Sequence, residues 1–139
     1  MASMNYWLLK TEPSDYSYDD LEKEPAGTVW DGVANYAALK YLRDMREGDR
    51  AIVYHTGNVR AAVGVAEVTS DPYPDPRAND ERMMVVDVRA DFRLKKPVPL
   101  ADLRDDPAHA DHALLRQGRL SVVGLTPALW NDILRRAGD

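Results

Sequence analysis

The sequence has no cysteine, no long apolar run and no excess of positive charge. The absence of cysteine excludes disulfides, thiolate metal sites and cysteine nucleophiles, and it is compatible with a reducing compartment. No apolar run approaches the roughly 20 residues of a membrane-spanning helix, and no segment has the form of a signal peptide. The 18 basic residues stand against 23 acidic ones, for a formal net charge of −5. This charge balance argues against a protein that binds nucleic acid mainly by neutralising its phosphates.

The rest of the composition is that of an ordinary globular chain. Its 139 residues are 45% hydrophobic and 29% charged, which is enough to bury a real core. We expect a single domain over residues 1–139 that is soluble and cytoplasmic, with residues 1–3 outside the fold. If nucleic acid is the ligand, base recognition should carry an unusual share of the affinity, and the dependence on salt should be shallow.

Hydrophobic periodicity predicts strands and helices of uneven length. Residues 86–94 alternate between apolar and charged side chains, which indicates a strand with one solvent-exposed face and one face packed on the core. Ser17 and Asp20 have the form of a capping box, and Thr126 followed by Pro127 specifies the start of a C-terminal helix. The predicted strands are 6–9, 28–29, 51–54, 61–68, 86–94 and 120–125. The predicted helices are 17–21, 35–45, 100–103, 113–116 and 127–137, with proline-rich loops at 71–80 and 95–99.

The order of these elements predicts the fold class. The strands from Ala51 to Leu94 follow one another with no crossover helix between them, which does not fit a regular βαβ series. An α+β fold, in which helices flank a small mixed or antiparallel β-barrel, fits better. A barrel of this size holds a ligand at its mouth or in a cleft against a flanking helix.

Residues 30–36, Trp-Asp-Gly-Val-Ala-Asn-Tyr, are the stretch that most suggests a binding site. They place two aromatic rings, a carboxylate and a carboxamide around a glycine, just before a predicted helix. A nucleobase has matching chemistry, because its faces stack on rings such as Trp30 and its edge needs a donor and an acceptor such as Asn35 offers. The alternative is that Trp30 is a core ring and Asn35 is the N-cap of the helix.

Eight segments, in order along the chain from about Tyr6 to Leu134, resemble the EVE domain family. The first is Tyr-Trp-Leu-Leu-Lys-Thr-Glu-Pro, and the eight are 6–13, 30–36, 48–49, 54–55, 63–68, 73–76, 86–88 and 119–122. The resemblance implies a PUA-like barrel. It also implies a pocket for a chemically modified base, a modified cytosine or adenine, in DNA or RNA.

The resemblance further implies which residues form this pocket. Trp30 would be a wall, and Asn35 a partner of the base edge or of the backbone. The other implied residues lie beside the pocket or on its rim: Lys10, Thr11, Tyr36, Tyr54, His55, Tyr73, Leu120 and Ser121. The chain departs from the family pattern at Ala34, Ala37, Val123 and Gly124, where arginine, glutamine, glutamine and proline are more usual. The first two departures remove a cationic contact and an amide from the neighbourhood of the pocket.

We therefore predict a non-catalytic reader that takes a modified base out of its strand, with no cofactor and no metal. The rival hypothesis is a small amidohydrolase acting on a modified nucleoside, a chemistry that the related ASCH-type barrels suggest. In that hypothesis Lys10 activates Thr11 as a nucleophile and Glu67 assists. Against it, neighbours along a strand point to opposite faces, so Thr11 would face away from a site that Lys10 lines.

The histidines leave further alternatives open. His109 and His112, with Asp106 and Asp111, suggest a metal site, but their spacing matches neither a zinc pattern nor an oxygen cage and favours a solvated acidic loop. His55 is either a hydrogen-bonded structural residue or part of the pocket.

The remaining basic and aromatic residues are assigned by position. Trp7 in a strand and Trp130 on the apolar stripe of the last helix are predicted to be core residues. Four basic residues are candidate phosphate contacts, with ordinary surface charge as the alternative: Lys40, Arg43, Arg116 and Arg119.

Overall fold

Seven strands form a curled mixed sheet in the computed structural model, which describes residues 5–109 and 112–139. The strands are β1 (Tyr6–Thr11), β2 (Thr28–Trp30), β3 (Arg50–His55), β4 (Ala61–Val68), β5 (Tyr73–Pro74), β6 (Met84–Pro99) and β7 (Val122–Leu125). The helices are α1 (Tyr18–Glu22), α2 (Tyr36–Arg43), α3 (Leu100–Arg104), α4 (Ala113–Arg116) and α5 (Pro127–Ala137), with a 3-10 turn at Pro107–His109. Residues 1–3, which are predicted to lie outside the fold, and Asp111 of the predicted acidic loop are not among the described residues. In the described part of the chain, no helix has the length and apolar character needed to cross a membrane.

The strand order is β2-β6-β4-β3-β1-β7, and β5 pairs with β6 outside this order. β1 runs parallel to β3, and the other pairs are antiparallel. The sheet curls into a half-barrel, which confirms the predicted α+β class with its mixed barrel and flanking helices. β2 is therefore a short edge strand, and its unpaired side faces the open part of the barrel.

The core explains why β1 is apolar on both faces. Leu8 and Leu9 are almost fully buried in the middle of the sheet, while Trp7 and Trp130 are 5% and 3% exposed. Trp130, on α5, stacks on the ring of Tyr6 with 4.5 Å between ring centroids. The prediction that both tryptophans are core residues is confirmed.

The predicted helix caps are present. Ser17 and Asp20 form the reciprocal capping box of α1, and the Thr126 side chain accepts from the Leu129 N–H at the start of α5. α2 ends at Arg43, two residues before the predicted end.

The predicted loop at 95–99 is wrong, because β6 continues to Pro99 as a strand of 16 residues. Its last residues pair with β4, where Pro99 lies opposite Ala61, while β2 pairs only with the earlier part of β6. Prolines are tolerated there because β2 does not extend along this part of β6, so the side away from β4 is a sheet edge. Two smaller corrections are the strand β5 inside the predicted loop 71–80 and the start of β7 at Val122 instead of residue 120.

Tyr18 fixes α1 on the inner face of the sheet. Its hydroxyl donates to the Val65 carbonyl at 2.7 Å, and its ring lies directly on Gly64. A Cβ atom at position 64 would stand 2.4 Å from the ring carbons, so the glycine is needed for space. This contact holds the segment before β2 against the barrel.

Candidate functional site

A cavity of about 310 Å³ opens where the curled sheet does not close. One wall comes from the end of β1, with Lys10 and Thr11, and another from β2. These strands lie near opposite ends of the strand order, so the cavity occupies the gap in the barrel, and we call it the seam cavity. Its lining residues are Lys10, Thr11, Tyr16, Thr28, Val29, Trp30, Asp31 and Arg77. Ligand pockets span about 300 to 1,000 Å³, so this volume suits a small ligand.

Two aromatic rings form the firm wall of the seam cavity. Trp30 and Tyr16 meet edge to face, with 6.2 Å between ring centroids and 84° between ring planes. Pairing with Val86 of β6 holds Trp30 in place, and only 7% of its surface is exposed. A rigid ring that borders a cavity offers a platform for a flat ligand.

Tyr16 is held by its neighbours at both ends. Its carbonyl accepts from the Thr11 hydroxyl at 2.7 Å, and its own hydroxyl donates to the Glu24 carboxylate. Burial, followed by this hydrogen bond, raises the pKa of Tyr16 to about 12. The phenol therefore stays neutral at physiological pH.

The rim of the seam cavity mixes donors and acceptors. Lys10 and Arg77 bring positive charge, Asp31 brings a carboxylate, and Thr28 a hydroxyl. The Lys10 ammonium donates to the Gly118 carbonyl at 3.1 Å, and burial lowers the pKa of Lys10. Groups of both polarities around an aromatic wall suit a planar heterocycle with a polar edge.

Trp30, Lys10 and Thr11 are the predicted site residues that the structure brings together at the seam cavity. Asn35 lies outside its lining: the side chain is exposed, and its Oδ1 accepts from the N–H groups of Ala37 and Ala38. Its carboxamide oxygen is therefore engaged as the N-cap of α2, the alternative interpretation of this residue.

Tyr36 and Tyr73 also lie outside the lining of the seam cavity. Tyr36 is 60% exposed, and its ring centroid lies 5.1 Å from the guanidinium carbon of Arg82. The Tyr73 hydroxyl donates to Asp87 at 2.6 Å, and this hydrogen bond, with some burial, raises the pKa of Tyr73 to about 12. Both rings are engaged with partners of their own.

His55, Leu120 and Ser121 support the end of β1. His55 is 9% exposed, its Nε2 accepts from the Tyr18 N–H at 3.0 Å, and burial lowers its pKa. Leu120 is buried, and the Ser121 carbonyl accepts from the Lys10 N–H. For His55 the geometry is that of the structural alternative.

The structure does not assemble the three groups of the amidohydrolase hypothesis. Thr11 lies opposite His55 on β3, whereas Glu67 lies opposite Arg50 at the other end of that strand. Five residues of strand separate the two positions, or roughly 16 Å. The Glu67 carboxylate pairs instead with Arg89 at 2.9 Å.

A histidine and two aspartates lie close together beside α5. Asp106, His109 and Asp132 have side-chain atoms within 4.8 Å of one another, but Arg136 donates to both carboxylates, at 2.8 and 2.9 Å. Burial opposes ionisation of Asp132, yet hydrogen bonds from His109, Arg136 and Arg135 outweigh it and lower the pKa of Asp132 to about 2. The guanidinium supplies the positive charge here, so the group is an ion-pair network. His112 caps α4 through its Nδ1.

The sequence reasoning missed several lining residues. Asp31 lies inside the segment 30–36, Thr28 lies two residues before it, and Tyr16 lies three residues after the segment 6–13. Proximity in sequence to these segments is the signal that could have identified the three residues. Arg77 directly follows the segment 73–76, but nothing in the sequence indicates that it turns toward β2. The predicted phosphate contacts, in contrast, do not line the seam cavity: Lys40, Arg43, Arg116 and Arg119.

The fold is that of a PUA-like barrel of the EVE type. The EVE domain profile matches residues 5–136, and the chain belongs to the EVE domain family. Among its relatives, thymocyte nuclear protein 1 of mouse is 30% identical over 165 residues, covering 94% of this chain and 72% of the mouse protein.

Two solved structures extend the comparison. A protein of Rhodopseudomonas palustris, solved by NMR, is 40% identical with a TM-score of 0.91, covering 97% of this chain and 94% of that one. Human thymocyte nuclear protein 1 (THYN1), crystallised in complex with DNA that contains 5-methylcytosine, is 27% identical with a TM-score of 0.87, covering 97% of this chain and 98% of that one.

Proposed function

We propose that this protein is a non-catalytic nucleic-acid-binding domain that holds a modified base in the seam cavity. The observation that carries the proposal is the cavity of about 310 Å³ with Trp30 and Tyr16 as its aromatic wall. The human relative crystallised with DNA containing 5-methylcytosine supports the choice of ligand class.

The chemistry of the cavity matches an extrahelical base. Removing a base from its stack costs a few kcal/mol, and stacking on a protein ring returns about 1 to 3 kcal/mol. The edge of the base would meet the hydroxyl of Thr28, which can donate or accept, and the carboxylate of Asp31, which accepts. Specificity then rests on the base and its neighbours in the cavity.

The binding assay is fluorescence anisotropy with matched single-stranded DNA oligonucleotides that differ only in one 5-methylcytosine. We expect tighter binding to the modified strand. Parallel pairs carrying N6-methyladenine, and the same pairs as RNA, identify the base and the polymer. Equal affinity for every modified strand and its unmodified partner would refute the proposed function.

Two substitutions locate the site. Trp30→Ala should weaken binding of the preferred strand by about 1 to 3 kcal/mol, because one stacked base loses its platform. Since Trp30 is also a packed residue, Thr28→Val serves as a second variant that keeps shape and removes one hydroxyl at the rim. Thr69→Val, which makes the same change outside the cavity lining, is the control and should bind like the parent. If Trp30→Ala and Thr28→Val both fold and bind fully, the seam cavity is not the site.

The non-catalytic part of the proposal has its own test. Modified nucleosides and oligonucleotides are incubated with the protein and their masses are compared before and after. We expect unchanged masses, and turnover of any of them would contradict this part.

A further inference from the structure

A second cavity, also of about 310 Å³, adjoins the seam cavity and is lined by three cations. Lys10, Arg60 and Arg104 border it together with the ring of Tyr54, and no carboxylate is among its described lining residues. The whole chain has a formal net charge of −5, so the local positive charge of this cavity is opposite in sign to the net charge of the protein. We call it the basic cavity.

The two arginines of the basic cavity are not neutralised by any of the described residues. Arg93 and Arg136 each pair with two carboxylates, but neither Arg60 nor Arg104 forms a salt bridge with any residue in 5–109 or 112–139. Arg60 and Tyr54 line the cavity together; burial raises the pKa of the Tyr54 phenol, while Arg60 and Arg104 oppose that rise. The phenol therefore remains a neutral partner, and the guanidinium charges stay available to an anion.

Arg60 also has an unfavourable backbone conformation. Its φ of +50° lies in the left-handed region, and it is the one non-glycine residue with positive φ in the described part of the chain. Glycine would adopt this conformation without strain. Such strain concentrates where a side chain serves binding, and here it occurs at a residue that lines the basic cavity.

Lys10 connects the two cavities. It lines both, and its ammonium lies 5.7 Å from the Tyr54 ring centroid on the side of the basic cavity. A ligand held in the seam cavity therefore has a cationic group at its border and two more beyond it. Leu100 and Leu114, which are 8% and 1% exposed, form an apolar floor that strengthens charge contacts above it.

We propose that the basic cavity binds the backbone phosphate next to the base held in the seam cavity, with Lys10, Arg60 and Arg104 as its partners. This inference rests on the proposed function. A flipped nucleotide brings its own phosphates with it, so a phosphate site one side chain away completes the recognition of a nucleotide in a strand. It also explains how a chain of net negative charge orients a polyanion with few contacts.

Salt dependence of binding provides the first test. Affinity for the strand containing 5-methylcytosine is measured over a range of salt concentrations for the parent, Arg60→Gln, Arg104→Gln and Lys40→Gln. The slope of log K against log salt is negative, and each lost phosphate contact to a single strand should lower its magnitude by about 0.7. We expect this loss for the two arginine variants and an unchanged slope for Lys40→Gln, whose side chain is exposed and outside both cavities. An equal fall in Lys40→Gln would show a general charge effect and overturn the proposal.

Mononucleotides separate the two cavities. The parent should bind 5-methyl-2′-deoxycytidine monophosphate about tenfold more tightly than the free nucleoside, the factor that 1.4 kcal/mol represents. The double variant Arg60→Gln, Arg104→Gln should lose this gain and keep the affinity for the nucleoside. If inorganic phosphate competes with the strand as well as the monophosphate does, the site takes free anions and the proposal is wrong.

The outcomes distinguish this inference from the proposed function. Preference for the modified strand with unchanged salt slopes would leave the base site standing and refute the phosphate site. Equal binding of modified and unmodified strands, with slopes that still fall in Arg60→Gln and Arg104→Gln, would refute base recognition and support the phosphate site.

Discussion

The indole Nε1 of Trp7 donates a hydrogen bond to Oδ2 of Asp49 at 2.9 Å, and both side chains are buried. Asp49 also accepts from the backbone N–H groups of Asn5 and Arg46, at 3.2 and 2.9 Å. A carboxylate that is 4% exposed needs such donors because water cannot replace them. Trp7 is thus a core residue that also satisfies a buried charge at the start of β3.

We expect Trp7→Phe to lower the free energy of unfolding by about 1 to 3 kcal/mol beyond the loss of ring area, because one donor to a buried carboxylate disappears. Trp130→Phe is the matched control. Trp130 is equally buried, but its ring packs on Tyr6 and no described residue accepts from its indole N–H. Urea denaturation of the two variants measures the difference, and equal losses would contradict the assigned role of the Trp7–Asp49 bond.

Gly64→Ala should destabilise the fold by about 1 to 3 kcal/mol, since the new Cβ would overlap the Tyr18 ring, which is fully buried. Gly118→Ala introduces the same methyl group where no atom lies within 4 Å, and it should be close to neutral. Thermal denaturation of both variants checks this. A neutral Gly64→Ala would mean that Tyr18 moves aside freely and does not anchor α1.

At position 60 we expect glycine to be more stable than alanine by about 1 kcal/mol, because alanine keeps the strain of a positive φ and glycine removes it. Both substitutions remove the same guanidinium, so both should weaken strand binding by similar factors. Unfolding and binding measured on the same two variants therefore separate backbone strain from charge. Equal stability of the two would show that the backbone at position 60 relaxes.

The stability of the fold should decrease below neutral pH partly through His55. Its pKa is lowered in the folded protein, first by burial and then by the positive charge of Arg93, so the unfolded chain takes up the proton first as the pH falls. The free energy of unfolding therefore declines as the pH drops from the unfolded value of about 6.5, and the decline ends once the pH is below the folded pKa. His55→Gln, which retains an acceptor for the Tyr18 N–H, should show a smaller decrease between pH 7 and 5 by chemical denaturation. An unchanged decrease would contradict this assignment.

Local patterns in the sequence predicted most elements because the relevant physics is local. The alternation of residues 86–94, the capping box at Ser17 and the Thr126-Pro127 start of α5 all depend on neighbours within a few residues. The extension of β6 to Pro99 was not predicted, because prolines are tolerated there only where the neighbouring strand β2 has already ended, and this is a property of the whole sheet.

The site was predictable only in part for the same reason. Trp30, Lys10 and Thr11 belong to conspicuous segments, and the family resemblance pointed to them. Arg60 and Arg104 carry no local signal, and they reach the basic cavity through the pairing of β4 with the end of β6 and the placement of α3 behind it. For Asn35 the local rule of helix capping explains the observed contact better than the functional interpretation does.

The seam cavity has one wall made of three residues at the margin of the sheet, and this has a consequence for its dynamics. β2 shares backbone bonds with β6 alone, so it can detach while the remaining strands stay paired, and the cavity then ceases to exist. A ligand bound in the cavity should for that reason slow hydrogen–deuterium exchange in β2 far more than in β3 or β4. The exchange rate of the β2 amides therefore measures ligand binding.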